Sequence, residues 1–370
     1  MHLFADEILQ HDGIKFDEFD ETSKAGKKML VAIEEESAGR LFYFLKPSEL
    51  FHKLAEKGAQ KTDNFILEDL AAVLKHIAAS TMGHDSEDDF ERLFEDLDLG
   101  SSKLGKTENQ KHELIAKVLV HLDQIDFRLA DTEADVLGDA YEYLIGQFAS
   151  GAGKKAGEFY TPQEVSTVLA RIVITGKKSL RNVHDPTCGS GSLLLRVARE
   201  LMRVAKKQKK ESDPIQFYGQ EMNPTTYNRA RMNMILHGVH YKRFDLRTKT
   251  LWRIRLRSTR TCDSTPSLPI RRSQPIGRRV PSMKRMTVLV PMANWPRKTK
   301  ADFAFVQHMV HHLAEGAIMA CVLPHGALFR GAAEGHSRRY LIEDCNYLDA
   351  VIRLPANIFY GTGTRPAFWC

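Results

Sequence analysis

The stretch Val183-His-Asp-Pro-Thr-Cys-Gly-Ser-Gly-Ser-Leu-Leu-Leu195 decides the fold of this chain. A short apolar run enters an Asp-Pro step and two glycines, and an amphipathic helical pattern follows up to Lys207. Glycine at 189 and 191 permits a tight turn and lets a ligand come close to backbone N–H groups. The order of strand, glycine turn and helix therefore predicts a ligand-binding turn at the carboxyl edge of a sheet. Asp185 ends the strand, where its carboxylate can accept a hydrogen bond from a ligand ammonium group.

Strand and helix patterns alternate around this turn. Apolar runs predict strands at Val183–His184, Ile215–Tyr218, Ile318–Leu323 and Leu348–Leu354. Apolar residues at spacings of three and four predict helices at Leu193–Lys207, Thr226–His237 and Phe303–Leu313. Such alternation is typical of a doubly wound, mostly parallel α/β sheet.

The first 150 residues have a different pattern of apolar residues. Helical patterns recur at Phe51–Ala79, Glu113–Phe127 and Ala134–Phe148, and strand signals are sparse. The small, basic segment Gly151–Gly157 resembles a connector. We therefore expect an N-terminal helical domain at 1–150, without catalytic residues, and an α/β domain at 151–370.

A second acidic residue strengthens the prediction of a nucleoside-type ligand. Glu221 follows the predicted strand at Ile215–Tyr218, where an acidic side chain can hold a ribose diol. A dinucleotide fingerprint would need a third glycine at position 194, which is Leu194, so a nicotinamide-dependent oxidoreductase is disfavoured. The residues alone leave open a surface glycine turn beside an unrelated glutamate.

Composition limits the remaining classes. The chain is 43% hydrophobic and 27% charged, which is typical of globular proteins. No apolar run approaches the roughly 18 residues that span a bilayer, and no signal peptide is evident, so we expect a cytoplasmic protein without membrane attachment. The five cysteines form no C-x-x-C pair and fit no metal site.

Positive charge is concentrated in one window. Residues 251–300 contain ten arginines, three lysines and one aspartate, a net +12, whereas the whole chain carries only +6. This window also lacks helical or strand periodicity. The basic balance therefore does not by itself indicate a nucleic-acid-binding surface.

The motifs resemble one known family. Gly157-Glu-Phe-Tyr-Thr-Pro162 followed by DPTCGSGSLLL resembles the two opening motifs of amino-methylating DNA methyltransferases. The similarity to the modification subunits of type I restriction–modification systems extends through five longer segments: VLGDAYEYLIGQFASGAGKKAGEFYTP, NPTTYNRARMNMILHG, KTKADFAFVQHM, VLPHGALFRGAAEG and LPANIFYGTG. It covers roughly residues 54–363, apart from the basic window.

The resemblance implies a Rossmann-like S-adenosylmethionine-dependent methyltransferase domain preceded by a helical domain. It also implies N6-adenine methylation of double-stranded DNA, with a flipped base, in a complex with specificity and restriction subunits. Relative to the family, the helical domain looks truncated and the catalytic domain looks shortened at its C-terminus. Carried over by position, the cofactor-binding residues are Phe159, Tyr160, Thr161, Pro162, Asp185, Gly189, Ser190, Gly191, Glu221 and Asn223.

The catalytic motif of the family has no counterpart here. That motif is Asn/Asp-Pro-Pro-aromatic, in which polar acceptors bind the adenine amino group and the ring stacks on the base. No such tetrapeptide occurs, so no catalytic residue is identified, and Asn223-Pro224 lies on the cofactor side instead. The motif is expected inside the anomalous segment 249–297, where Lys249 also replaces an aspartate that holds the cofactor adenine in the family.

Three explanations of this segment and of the chain's function stay open. The chain is an active DNA adenine methyltransferase subunit, a product of a damaged gene that keeps the fold but is impaired in catalysis, or a cofactor- or DNA-binding module that never catalysed. The segment itself is an exposed basic loop, a basic DNA-binding arm or sequence translated out of frame. Back-translation favours the frameshift, because Thr265–Ser273 read one base earlier can encode Asp-Ala-Val-Val-Ala-Asn-Pro-Pro-Phe. The same shift over Thr364–Cys370 can encode Pro-Pro-Cys-Ile-Leu-Val, close to the family's continuation. Similarity along most of the chain counts against the binding module.

Overall fold

The computed structural model describes residues 20–40, 43–60, 66–84, 86–125, 136–152, 160–177, 179–207, 214–248, 302–359 and 366–370. The chain divides into two compact units, Met1–Val136 and Leu137–Cys370. The helix Val136–Ala152 therefore falls almost wholly in the second unit. The expected domain boundary after Ser150 stays a prediction of the sequence.

The first unit is built from helices. Its helices are α1 (Lys24–Arg40), α2 (Phe51–Ala59), α3 (Ile66–Ala79), the single turn α4 (Glu87–Phe90) and α5 (Glu108–Asp123). Local sequence fixes where α5 starts, because the Thr107 side chain accepts from Gln110 N while the Gln110 side chain accepts from Thr107 N. Leu54, Ile66, Val73 and Leu119 pack into one cluster that holds α2, α3 and α5 together. The described residues of this unit contain no strand, in agreement with the helical patterns at Phe51–Ala79 and Glu113–Phe127.

The second unit alternates helices and strands. In chain order it contains α6 (Val136–Ala152), α7 (Gln163–Val173), β1 (Asn182–Asp185), α8 (Ser192–Lys207), β2 (Gln216–Gln220), α9 (Pro224–Leu236), β3 (Phe244–Arg247), α10 (Asp302–His312), β4 (Cys321–Pro324), α11 (Ala332–Arg339), β5 (Val351–Arg353) and β6 (Pro366–Trp369). The α/β prediction is confirmed. None of the helices in the described ranges has the length and apolar character that crossing a bilayer requires.

One three-stranded sheet is parallel and has the order β1-β2-β3. Its core is formed by Leu194 and Leu201 of α8, Phe217 of β2, Met234 of α9 and Phe244 of β3. Parallel strands that are covered by crossover helices read as apolar runs. Because β1 and β2 run in the same direction, their carboxyl ends meet at one edge of the sheet, next to the start of α8.

A second three-stranded sheet is antiparallel, with β6 between β4 and β5. The prediction of a mostly parallel sheet therefore holds for β1–β3 and is wrong for β4–β6. The reason is that Pro366–Trp369, which back-translation marked as out of frame, forms the central strand. Ala367, Phe368 and Trp369 are all buried, so this segment supplies the apolar contacts that a central strand needs.

Replacing Phe368 by alanine should lower the free energy of unfolding of the second unit by about 3–5 kcal/mol. Phe368 is fully buried against Val165 and Leu169, and truncation leaves a cavity there. Denaturant unfolding followed by fluorescence measures the loss. The control Phe329→Ala removes a ring that is 67% exposed and should change stability by less than about 0.5 kcal/mol. Equal losses in the two variants would contradict the burial of β6.

Candidate ligand-binding site at the glycine turn

The turn between β1 and α8 adopts a conformation that favours glycine. Gly189 and Gly191 have φ values of 55° and 77°, in the left-handed region. A Cβ at Gly191 would lie 3.2 Å from the Met234 side chain of α9, so space is also short there. The turn is closed by a hydrogen bond of 2.8 Å from Gly191 N to Cys188 O. The sequence-predicted turn residues Asp185, Gly189, Ser190 and Gly191 therefore lie together in one tight loop.

Two backbone contacts tie the turn and its neighbour to the sheet. Cys188 N donates to Gln220 O over 2.9 Å, and Glu221 N donates to Arg247 O over 2.9 Å. The first bond joins the turn to the end of β2, and the second joins the residue after β2 to the end of β3. Asp185, Glu221 and the turn are thereby held at one sheet edge.

Asn233 of α9 is a buried support of the turn that the sequence analysis did not identify. Its Nδ2 donates to Ser190 O over 3.0 Å, and it is fully buried. Ser190 Oγ also lies 3.0 Å from Ser192 Oγ, at the start of α8. A polar residue inside the apolar pattern of a predicted helix was the available signal, because buried amides need hydrogen-bond partners.

Gly219 of β2 is a second support that the analysis did not identify. A Cβ at this position would lie 2.5 Å from Leu246 Cδ2 and 3.0 Å from Cys188 Sγ. Only glycine lets the buried Cys188 of the turn pack against this strand. A glycine inside a strand pattern often marks such a close approach, so the signal was present in the sequence.

The two acidic residues give the edge its charge. Asp185 accepts from Thr187 N over 2.9 Å. Burial raises the pKa of Asp185, and repulsion from Glu221 adds to the rise, against the lowering effect of the Thr187 hydrogen bonds. Two neighbouring carboxylates, one of them desolvated, favour a ligand that brings positive charge or hydroxyl donors.

Asn223 has a structural role at this edge of the sheet. Its Oδ1 accepts from Thr226 N over 3.2 Å and caps α9, and its own N donates to Glu221 Oε1 over 2.8 Å. The cap fixes the start of α9, and the second bond orients the Glu221 carboxylate. A direct contact between Asn223 and a cofactor stays a prediction.

The predicted segment Phe159–Pro162 is described from Tyr160 onward, and Phe159 lies outside the described residues. Pro162 precedes α7, and its carbonyl accepts from Ser166 N over 3.0 Å. Leu193 of α8 packs against the cluster that contains Val165 of α7. The starts of α7 and α8 therefore lie close together, which brings Thr161 and Pro162 toward the glycine turn.

A buried ion pair fixes α6, which precedes this segment. Glu142 Oε2 lies 3.3 Å from Arg196 Nη2 of α8, with side-chain exposures of 5% and 15%. Asp139 Oδ1, one turn earlier on α6, lies 2.5 Å from Arg199 Nη1, one turn later on α8. A Cβ at Gly146 of α6 would lie 3.2 Å from the Tyr160 hydroxyl, so the helix backbone lies close to that side chain. Sequence patterns alone do not reveal this support, because it joins residues far apart in the chain.

The arrangement can bind a cationic ligand that also carries hydroxyl groups. The glycine turn admits close approach of the ligand to the backbone, and the carboxylates of Asp185 and Glu221 provide acceptors on neighbouring strands. The segment 249–297, in which the family's catalytic tetrapeptide is expected, lies outside the described residues.

Comparison with known proteins identifies the family. Residues 132–370 match the N-6 DNA Methylase family. The chain belongs to this N-6 DNA methylase family. The predicted resemblance to type I modification subunits is thereby confirmed, because the relatives with similar sequences include such subunits.

Two of these relatives are methylase subunits of type I restriction enzymes. The MpnII subunit of Mycoplasma pneumoniae is 34% identical over 349 residues, which are 90% of this chain and 62% of the relative. The MjaVII subunit of Methanocaldococcus jannaschii is 29% identical over 283 residues, which are 75% of this chain and 46% of the relative. The chain thus spans about half to three fifths of their lengths.

A solved structure supports the fold of this chain. The methyltransferase subunit of a type I restriction–modification system from Streptococcus thermophilus superposes with a TM-score of 0.78 at 34% identity. The match covers 99% of this chain and 75% of that chain. The predicted methyltransferase fold class is confirmed.

Replacing Asn233 by leucine should destabilise the second unit by about 1–3 kcal/mol, because the buried Ser190 carbonyl loses its amide donor. Thermal or denaturant unfolding measures this change. The control Met222→Ala alters a side chain at the same edge that is 70% exposed and should stay within about 0.5 kcal/mol of wild type. A wild-type stability for Asn233→Leu would show that the amide does not hold the turn.

Proposed function

We propose that this chain is the modification subunit of a type I restriction–modification system and acts as a DNA adenine-N6 methyltransferase. The observation that carries the proposal is the glycine turn joined to two carboxylates on neighbouring parallel strands. Family membership supports the type of reaction, and the names of the relatives support the type of system.

S-adenosylmethionine fits the residues at this edge. It carries an ammonium group for Asp185, a ribose diol for Glu221 and a sulfonium charge that two carboxylates attract. Gly189 and Gly191 leave room for its amino-acid moiety beside the turn, and Tyr160–Pro162, together with Phe159, would pack against it. When bound, it supplies an electrophilic methyl group.

The remaining partners follow from the type of system. The substrate is an adenine in double-stranded DNA, which must leave the base stack before its amino group is reachable. A specificity subunit reads the target sequence and a restriction subunit completes the complex. We place this complex in the cytoplasm, where the DNA of the cell lies.

A second candidate is a catalytically impaired remnant that keeps the fold and binds the cofactor. The specific observation is that the full sequence contains no Asn/Asp-Pro-Pro-aromatic tetrapeptide and carries Lys249 before Thr250-Leu251. The adenine amino group is a weak nucleophile, since its lone pair is delocalised into the ring. The polar acceptor and the stacking ring of that motif are what would orient the amine and sharpen its lone pair, and the sequence lacks that motif.

Gly189→Val should weaken binding of S-adenosylmethionine by more than about 10-fold, a loss of about 1.4 kcal/mol. The branched side chain occupies the space beside the turn and strains a residue at φ 55°. Isothermal titration calorimetry measures the affinity, and circular dichroism checks the fold.

Gly238→Val is the matched control. Gly238 has φ 66°, so valine causes a similar strain there, but a Cβ at Gly238 meets no atom within 4 Å. The control should bind the cofactor like wild type. Equal affinities for all three proteins would place the cofactor elsewhere, and loss in both variants would assign the effect to strain.

If the second candidate is right, the chain should bind the cofactor yet transfer no methyl group to DNA when its specificity subunit is added. Incorporation of a labelled methyl group into duplex DNA measures the transfer, and an intact family member with its own specificity subunit is the positive control. Methylation by this chain above background would refute the impaired state. The nucleotide sequence of the gene provides a separate test, because codons over 265–273 that cannot encode Asn-Pro-Pro-Phe in another frame would exclude the frameshift and favour a basic DNA-binding loop.

A further inference from the structure

Three histidine side chains converge outside the proposed cofactor site. His184 lies on β1, and His308 and His312 lie one helical turn apart on α10. The ring centroids are 5.6 Å apart for His184 and His308, 5.3 Å for His184 and His312, and 4.4 Å for His308 and His312. One ring nitrogen from each histidine lies within 4.8 Å of the others. Two helix histidines at this spacing, with a third from another element, form a typical metal-binding arrangement.

The His308 ring is buried without hydrogen-bond partners. Its side chain is only 6% exposed, and neither Nδ1 nor Nε2 has a hydrogen-bond partner among the described residues. A neutral imidazole offers one N–H donor and one lone pair, and burying both without partners is unfavourable. A bound ion would use that lone pair.

His312 is already oriented as a ligand. Its Nδ1 lies 2.9 Å from the carbonyl oxygen of His308. A carbonyl oxygen only accepts hydrogen bonds, so Nδ1 carries the proton and donates it. The lone pair is therefore on Nε2. Histidine ligands in metal sites are commonly fixed by such a bond from the other ring nitrogen.

The local electrostatics keep two of the rings neutral. Burial, with repulsion from His312 as a second cause, lowers the pKa of His184 to about 4, and burial with repulsion from the neighbouring histidines lowers that of His308 to about 3. Neutral imidazole is the form that binds metal ions.

We propose that His184, His308 and His312 form a binding site for one divalent transition-metal ion, with Zn²⁺ as its natural occupant. Imidazole nitrogens suit Zn²⁺, and three histidines leave one coordination position for water. Zn–N bonds of about 2.1 Å put ligand atoms roughly 3.4 Å apart in a tetrahedron, so small side-chain rotations close the cluster. His312 is exposed, and it opens a route for the ion from solvent.

The ion acts as a structural clamp between two parts of the second unit. β1 belongs to the parallel sheet, whereas α10 precedes β4 of the antiparallel sheet. Among the described residues, no strand pairing joins the two sheets. A metal bound by β1 and α10 would fix them directly, one residue away from Asp185.

Metal binding to the full, tag-free chain tests the proposal. After removal of metals with a chelator and dialysis, Co²⁺ is titrated while its visible absorption is followed, and Zn²⁺ is then added as a competitor. We expect one tetrahedral Co²⁺ per chain, displacement by one equivalent of Zn²⁺, and a higher melting temperature with Zn²⁺ because the ion binds only the folded state. Absence of Co²⁺ or Zn²⁺ binding would overturn the proposal and assign the cluster to a stack of neutral rings.

Single variants locate the bound ion. His312→Ala should fold normally because the side chain is exposed, and His308→Gln keeps a buried polar group of similar size. Each should weaken Zn²⁺ binding by more than about 100-fold, since loss of an outer-shell partner alone costs about 10–100-fold.

The control His336→Ala removes a histidine of α11 whose Nδ1 bonds only its own helix, and it should bind Zn²⁺ like wild type. Circular dichroism confirms that each variant is folded. Wild-type affinity in both His312→Ala and His308→Gln would place the ion elsewhere and overturn the assignment. A loss in His336→Ala equal to theirs would do the same.

Discussion

The hydrogen bond from Cys188 N to Gln220 O is the contact on which the proposed site depends. It fixes the glycine turn against the end of β2, and it requires Cys188 to pack where Gly219 has no side chain. Once the turn is in place, Asp185 and Glu221 lie on neighbouring strand ends, and α8 starts in the direction that buries Leu194. This one contact therefore helps to determine where the carboxylates lie, where a ligand has space and how the main core cluster packs.

The sequence predicted the parts of this arrangement that depend on local signals. Asp185-Pro186 and the two glycines mark the turn by conformational preference, and the periodicity of residues 193–207 marks α8. The sequence alone did not reveal Asn233, because its contact with Ser190 spans 43 positions and involves one buried amide. The pairing of Glu142 with Arg196 spans 54 positions and was equally invisible. β6 was not predicted because the back-translation assigned Thr364–Cys370 to an out-of-frame segment, whereas its residues form a buried strand.

The proposed cofactor site and the histidine cluster both use β1, but they would bind ligands of different chemistry. Asp185 ends the strand and presents charge to the edge, whereas the preceding residue, His184, points to the rings of α10. Alternation along a strand sends neighbouring side chains to opposite faces, so one short strand can serve both. Adjacent residues would thus bind the methyl donor and the metal ion, and the two ligands would not compete for the same atoms.

The central place of β6 has a consequence for the order of events on the ribosome. β4 and β5 leave the exit tunnel before β6, yet neither pairs with the other, because β6 lies between them. Until β6 is made, both strands expose unpaired edges that favour association with other chains. The antiparallel sheet can therefore form only after β6 has been made.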